Sequence, residues 1–164
     1  MRGGGNGSDG AATEWRGTRG ARTSPNPYER PYHPGVRIVG HGIDLVEIAR
    51  VEALIGRHGA RAVERIFTPG EAAYAEASSR LRGQRFASRF AAKEAVFKAL
   101  GTGWGAGIAW TEAEVVLLPS GAPTVRLHGR AAEIAAEHGI TGWLVSLTHT
   151  ATHAAASVIA VAEP

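Results

Sequence analysis

The chain contains no cysteine. That excludes disulfides, thiolate metal sites and a cysteine nucleophile, and it fits a reducing compartment, so a cytoplasmic protein is expected. No apolar run approaches the ~20 residues of a membrane-spanning helix, and the N-terminus lacks the apolar stretch of a secretory signal, so no membrane association is expected. Walker A loops, dinucleotide fingerprints and the His-Glu-x-x-His pattern are all missing. Neither a serine triad nor a glycosidase carboxylate pair can be argued from spacing. Excess charge is scarce as well. The formal net charge is +3, and residues 1–35 supply +2 of it through Arg2, Arg16, Arg19, Arg22 and Arg30 against Asp9, Glu14 and Glu29. The rest is close to neutral, without the basic or aromatic face that nucleic acid requires, so no nucleic-acid partner is expected.

What remains is ordinary globular material. At 164 residues, 44% hydrophobic and 20% charged, the chain has room for one domain with one core. Residues 1–35 are Gly-rich and then Pro-rich (Pro25, Pro27, Pro31, Pro34), with almost no aliphatic side chains. Such a segment cannot bury enough apolar area to offset chain entropy, so a disordered extension over 1–35 and a folded domain over 36–164 are expected. A basic arm, or a start at Val36 in place of Met1, are the other accounts of this stretch.

The domain is organised around Arg89–Gly103. Ala, Leu, Lys and Glu dominate, no Gly or Pro interrupts, and Gly101 sits where a left-handed cap is wanted, so a helix is predicted from about Gln84 to Leu100. At 100° per residue, Phe86, Phe90, Phe97 and Leu100 form a core-facing stripe. Lys93 falls in its middle, Arg89 on one flank, Glu94 and Lys98 on the other. Either Lys93 snorkels and Glu94–Lys98 is an exposed i,i+4 pair, or these charges edge a polyanion site with a metal-holding carboxylate.

Elsewhere, alternation predicts a strand over Val36–Ile43 ending at Asp44, then a helix over Leu45–His58 with Leu45, Ile48, Val51 and Ile55 inward. Asp44-Leu-Val-Glu47 matches a capping box, which would make Asp44 a helix cap. A helical turn is expected at Arg61–Phe67, and Thr68-Pro-Gly-Glu71 opens a helix through about Ser79. Glu114–Leu118 and Thr124–His128 read as a hairpin, Gly129–His138 as a helix, and Trp143–Thr148 and Ala154–Val161 as two more strands, the last apolar enough to be central. The order argues for an α+β domain, an antiparallel sheet wrapped around a long central helix. Two carboxylates from separate elements, Asp44 and Glu94, suit a hard cation such as Mg²⁺ better than zinc. Arg89, Lys93, Lys98 and His149 are then candidates for the phosphate oxygens such an ion leaves free.

The segments Gly42-Ile-Asp-Leu-Val-Glu-Ile48, Phe67-Thr-Pro-Gly-Glu71, Arg89-Phe-Ala-Ala-Lys-Glu-Ala-Val-Phe-Lys-Ala-Leu-Gly-Thr-Gly103 and Ser146-Leu-Thr-His-Thr150 resemble the holo-[acyl-carrier-protein] synthases, small members of the 4′-phosphopantetheinyl transferase superfamily. The resemblance covers Val36 to about Glu163 and implies that fold. It also implies transfer of 4′-phosphopantetheine from coenzyme A to a serine of an acidic apo acyl carrier protein, with release of adenosine 3′,5′-bisphosphate, in the service of fatty acid synthesis. By position, Asp44 and Glu94 match the magnesium ligands. Arg89, Lys98, His149 and Thr150 match residues around coenzyme A, with Lys93 adjoining them. Glu94 and Lys98 are the expected catalytic pair: Glu94 or a water takes the serine proton, and Lys98 steadies the leaving group. Arg50, Leu54 and Arg57 lie on the helix where the family docks its carrier. A homotrimer with sites between subunits is expected. Ala122 stands where many relatives have lysine, and His41 before Gly42 is unusual.

Overall fold

A computed structural model describes residues 35–103, 105 and 107–163. The expected disordered extension lies, apart from Gly35, outside the described residues. The long helix is α4, Arg82–Ala99, and it is the axis of the core. Three strands cross one side of it in the order β1-β5-β4: β1 is Arg37–Glu47, β4 is Gly142–His149 and β5 is His153–Ala162. All pairings are antiparallel, and the apolar β5 is central, because only a middle strand has both edges satisfied. A separate two-stranded sheet joins β2, Ala113–Leu117, to β3, Pro123–Leu127, through a turn in which Gly121 takes a positive φ of 83°. The remaining helices are α1 Ile48–His58, α2 Ala60–Ile66, α3 Pro69–Glu76 and α5 Gly129–Glu137. The α+β architecture expected from the element order is therefore present. No described helix is long and apolar enough to cross a membrane.

Helix and sheet meet through small side chains. Ala91, Ala92, Ala95 and Ala99 of α4 face Ala154, Ala156, Val158 and Ala160 of β5, all buried. Opposite β1 even alanine is too large. A Cβ at Gly42 would collide with the carbonyl oxygen of Ala95, and one at Gly40 with that of Ala99. These glycines let the strand lie directly on the helix backbone.

One boundary departs from expectation, and it bears on the site. β1 does not stop at Asp44; it pairs onward with β5 through Leu45–Ala155, Val46–Ala154 and Glu47–His153. The N-cap of α1 is Glu47, with no side-chain capping bond, so Asp44 is not a helix cap. Ladder bonds to β5 outweigh the local capping-box pattern, and Leu45, expected on the inner face of a helix, is 66% exposed on the outer face of the sheet. The second capping box forms as written: Thr68 and Glu71 exchange side chain-to-backbone bonds at the start of α3.

Candidate active site

Asp44 follows Gly40 and Gly42 on the face of β1 that lies against α4. The rise of two strand residues roughly matches that of four helix residues, ~6–7 Å, so the run Gly40–Gly42–Asp44 tracks back along α4 from Ala99 and Ala95 toward Ala91, which lies within a turn of Glu94. There Lys98 Nζ donates to Asp44 Oδ1 at 2.9 Å and to the carbonyl of Ile43 at 2.9 Å. Glu94 is half-buried beside them. Its carboxyl is pushed above the usual range first by burial and then by the negative charge of Asp44, while Lys98 and Arg50 pull it down. Lys98 thus reaches across to the strand, beyond the i,i+4 surface pair that was its bland alternative. Two acids fifty positions apart bear on each other at one spot.

Arg89 points elsewhere. Five residues from Glu94, it lies about 140° away around the helix at ~100° per residue. It is 4% exposed. Its guanidinium lies on the ring of Tyr74, 3.8 Å from the centroid. Burial depresses its pKa, against the raising influence of Tyr74 and Glu71. Its Nε is buried with no hydrogen-bond partner among the described residues, and so is Gln84 Oε1. Both line a cleft of about 250 Å³ with Tyr74, Arg85, Ser88 and His149. A buried guanidinium with an unspent donor, a second arginine and a histidine form a place for an anion. His149 is thereby brought to Arg89. Thr150 holds the β4–β5 turn, its Oγ1 accepting from the backbone N–H groups of Thr152 and His153.

The candidate residues therefore form two groups on opposite flanks of α4: Asp44, Glu94 and Lys98 with Arg50 nearby, and Arg89 with His149 and Thr150. Lys93 joins neither. It does not snorkel but is fully buried, with its ammonium donating to Glu71 Oε2 at 2.8 Å, Ala113 O at 2.6 Å and Trp110 O at 3.0 Å. Three protons meet three acceptors, so none is left for a ligand. Burial lowers its pKa, and Glu71 opposes that shift.

Arg50 and Arg57 of α1 are exposed and Leu54 is half-buried between them. Leu54 opens onto an apolar cleft of about 450 Å³ walled by Phe90 and Trp110 and rimmed by His58, Arg61 and Arg65. Sequence reasoning passed over Tyr74, Trp110 and the second task of Glu71. Only the capping box marked Glu71, and nothing in the local pattern marked the other two.

The acid pair can be tested for a metal by its donor set. Among the described residues no group of three or more His, Cys, Asp or Glu is gathered, which disfavours an all-protein zinc cage. Two carboxylates that repel each other, with an ammonium against one of them, fit a divalent ion that completes its sphere with water and phosphate oxygens.

Known proteins resemble this chain over most of its described residues. The 4′-phosphopantetheinyl transferase superfamily matches residues 40–158. The holo-[acyl-carrier-protein] synthase of Solibacter usitatus is 48% identical over 122 residues, covering 74% of this chain and 97% of that protein. The crystal structure of holo-ACP-synthase from Plasmodium yoelii superposes with a TM-score of 0.69 at 26% identity, covering 79% of this chain and 99% of that one. Helicobacter pylori holo-[acyl-carrier-protein] synthase, solved in complex with coenzyme A, gives 0.65 at 30% identity over 73% and 98%.

Proposed function

Since the chain belongs to the 4′-phosphopantetheinyl transferase superfamily, and within it to the holo-[acyl-carrier-protein] synthases, we propose that it transfers 4′-phosphopantetheine from coenzyme A to a serine of an acidic apo acyl carrier protein, with Mg²⁺ and with release of adenosine 3′,5′-bisphosphate. The observation that carries the reading is the Asp44–Lys98 ion pair at 2.9 Å, one turn of α4 from Glu94, whose carboxyl the Asp44 charge raises. Asp44 and Glu94 would hold the ion, which when bound would supply positive charge to the phosphate oxygens, while the serine oxygen attacks the β-phosphate and the bond to the departing bisphosphate breaks. Burial and the Asp44 charge raise the proton affinity of the Glu94 carboxylate, and in its ionised form it, or a water, takes the serine proton. Lys98 steadies the departing bisphosphate. Arg89 and His149 bind phosphate through the unspent donor of the buried guanidinium. Most of the rate comes from positioning and electrostatics, as in other phosphoryl transfers.

One subunit holds the two groups apart, which supports a homotrimer with each site completed between subunits: acids from one chain, Arg89 and His149 from the next. The outer face of the sheet supplies the contact. His41–Ile159–Leu144, Ile43–Ser157–Ser146 and Leu45–Ala155–Thr148 form three rows on it, with Ile43, Leu45 and Leu144 exposed. Apolar side chains of that size left in water favour a second copy of the chain. Arg50 and Arg57 around Leu54 suit an acidic carrier helix, and Arg50 also acts on Glu94, linking the docking surface to the acid pair.

Mass spectrometry tests the reading. An apo acyl carrier protein incubated with coenzyme A, Mg²⁺ and this protein should gain the phosphopantetheine mass of about 340 Da. Unchanged carrier with active coenzyme A would end the proposal.

A further inference from the structure

Lys93 and Glu71 are both inside the core, at 0% and 2% exposure. A buried ion pair is seldom retained for stability, because apolar residues of similar volume often serve as well or better. The bonds this pair makes indicate a different task. Glu71 accepts from the Thr68 and Val115 backbone N–H groups, each at 2.9 Å, and from Lys93. Lys93 donates to the carbonyls of Trp110 and Ala113. Four segments are tied at one point: the start of α3, the turn at Trp110–Glu112, β2, and the middle of α4. The tie reaches Trp110 through its carbonyl, and the Trp110 ring stacks on Phe90 at 4.9 Å and meets Phe97 edge-on at 5.5 Å. Trp110 and Phe90 are the wall of the apolar cleft onto which Leu54 opens.

We propose that Lys93 is a positioning residue for carrier recognition: held by Glu71, it fixes the Trp110 backbone so that the indole walls the cleft beside Leu54. The inference rests on the carrier-docking reading of that face. An apolar residue at position 93 would fill the volume but withdraw the Lys93 ammonium from the Trp110 and Ala113 carbonyls, loosening the tie between the turn and α4. Carrier affinity then falls, while the acid pair and the Arg89 cleft, on other faces of α4, keep their geometry.

The test is steady-state transfer by the full chain, well below its melting temperature, comparing Trp110→Ala, Lys93→Met and the double variant Lys93→Met/Glu71→Gln. Trp110→Ala reports on the cleft itself and should raise the carrier KM about tenfold, as loss of a buried aromatic anchor does. The double variant removes the ion pair without stranding a charge, so it folds even if Lys93→Met does not. It should also raise the carrier KM about tenfold while kcat and the coenzyme A KM stay at parent values, the split expected when only binding of one substrate is lost. Added to Trp110→Ala, it should change little more. A parent carrier KM in the double variant, with Trp110→Ala impaired, overturns the positioning role and leaves the docking reading standing. A parent carrier KM in Trp110→Ala overturns both.

Discussion

Replacing Asp44 by asparagine separates a metal ligand from a structural carboxylate without relying on turnover. In the metal-free protein the swap removes the Asp44–Lys98 ion pair, whose side chains are 16% and 46% exposed. A pair that wet is worth at most ~1 kcal/mol. Opposing this, the swap removes the charge that pushes Glu94 upward, which relieves repulsion at the same place. The two effects nearly cancel, and asparagine keeps the shape and an acceptor for Lys98, so the metal-free melting temperature should move by no more than ~4 °C, given ~2–8 °C per kcal/mol for domains near this size. Mg²⁺ is expected to act on a larger scale. An ion at a hundredfold excess over its dissociation constant stabilises the folded state by ~2.7 kcal/mol. That corresponds to a rise of ~5–20 °C in the parent protein. A neutral carboxamide in place of the carboxylate is a poor ligand for a hard dication, so the variant should show almost none of this rise. Calorimetry or fluorescence melts with chelator and with a Mg²⁺ series decide the matter. If Asp44→Asn keeps the full metal-dependent rise, the assignment of Asp44 is wrong. If it loses several kcal/mol without metal, the carboxylate is structural, and the account of the site fails.

Further predictions follow from the same geometry. Mixing two inactive variants, Asp44→Asn and Arg89→Gln, after co-refolding should restore about a quarter of parent activity, since random assembly unites intact halves across that share of shared sites; no recovery would argue for sites within one subunit. Gly42→Ala should cost about 1–3 kcal/mol in urea denaturation, because its Cβ meets the Ala95 carbonyl, and should lower activity by displacing Asp44. Parent stability with intact function would mean that strand and helix are further apart than described. Glu94 has its folded pKa above its unfolded value, so the folded state binds more protons in that window and metal-free stability falls as pH rises through it. Urea melts in chelator between about pH 4 and 7 should show this fall in the parent and a flatter profile in Glu94→Gln. Equal slopes in the two would remove the electrostatic argument for Glu94.

How much of this was legible in the chain depends on the range of the interaction concerned. The long helix, its Phe86–Phe90–Phe97–Leu100 stripe, the capping box at Thr68 and the apolar fifth strand are written in neighbouring residues, and periodicity and capping are local physics that operate before any tertiary contact forms. The site candidates were visible as residue types at spacings that recur in one family. Three things were decided only by packing. Asp44 became a strand residue because its partners on β5 lie more than a hundred positions away, and a ladder bond outweighs a cap that the local sequence merely permits. Lys93 became an internal clamp because Glu71, Trp110 and Ala113 close on it from three other segments. On the wheel it was simply a charge in an apolar stripe. The division of the site into two flanks of α4 follows from which strand lies on which side of the helix, a matter of sheet order that no single stretch of the chain encodes.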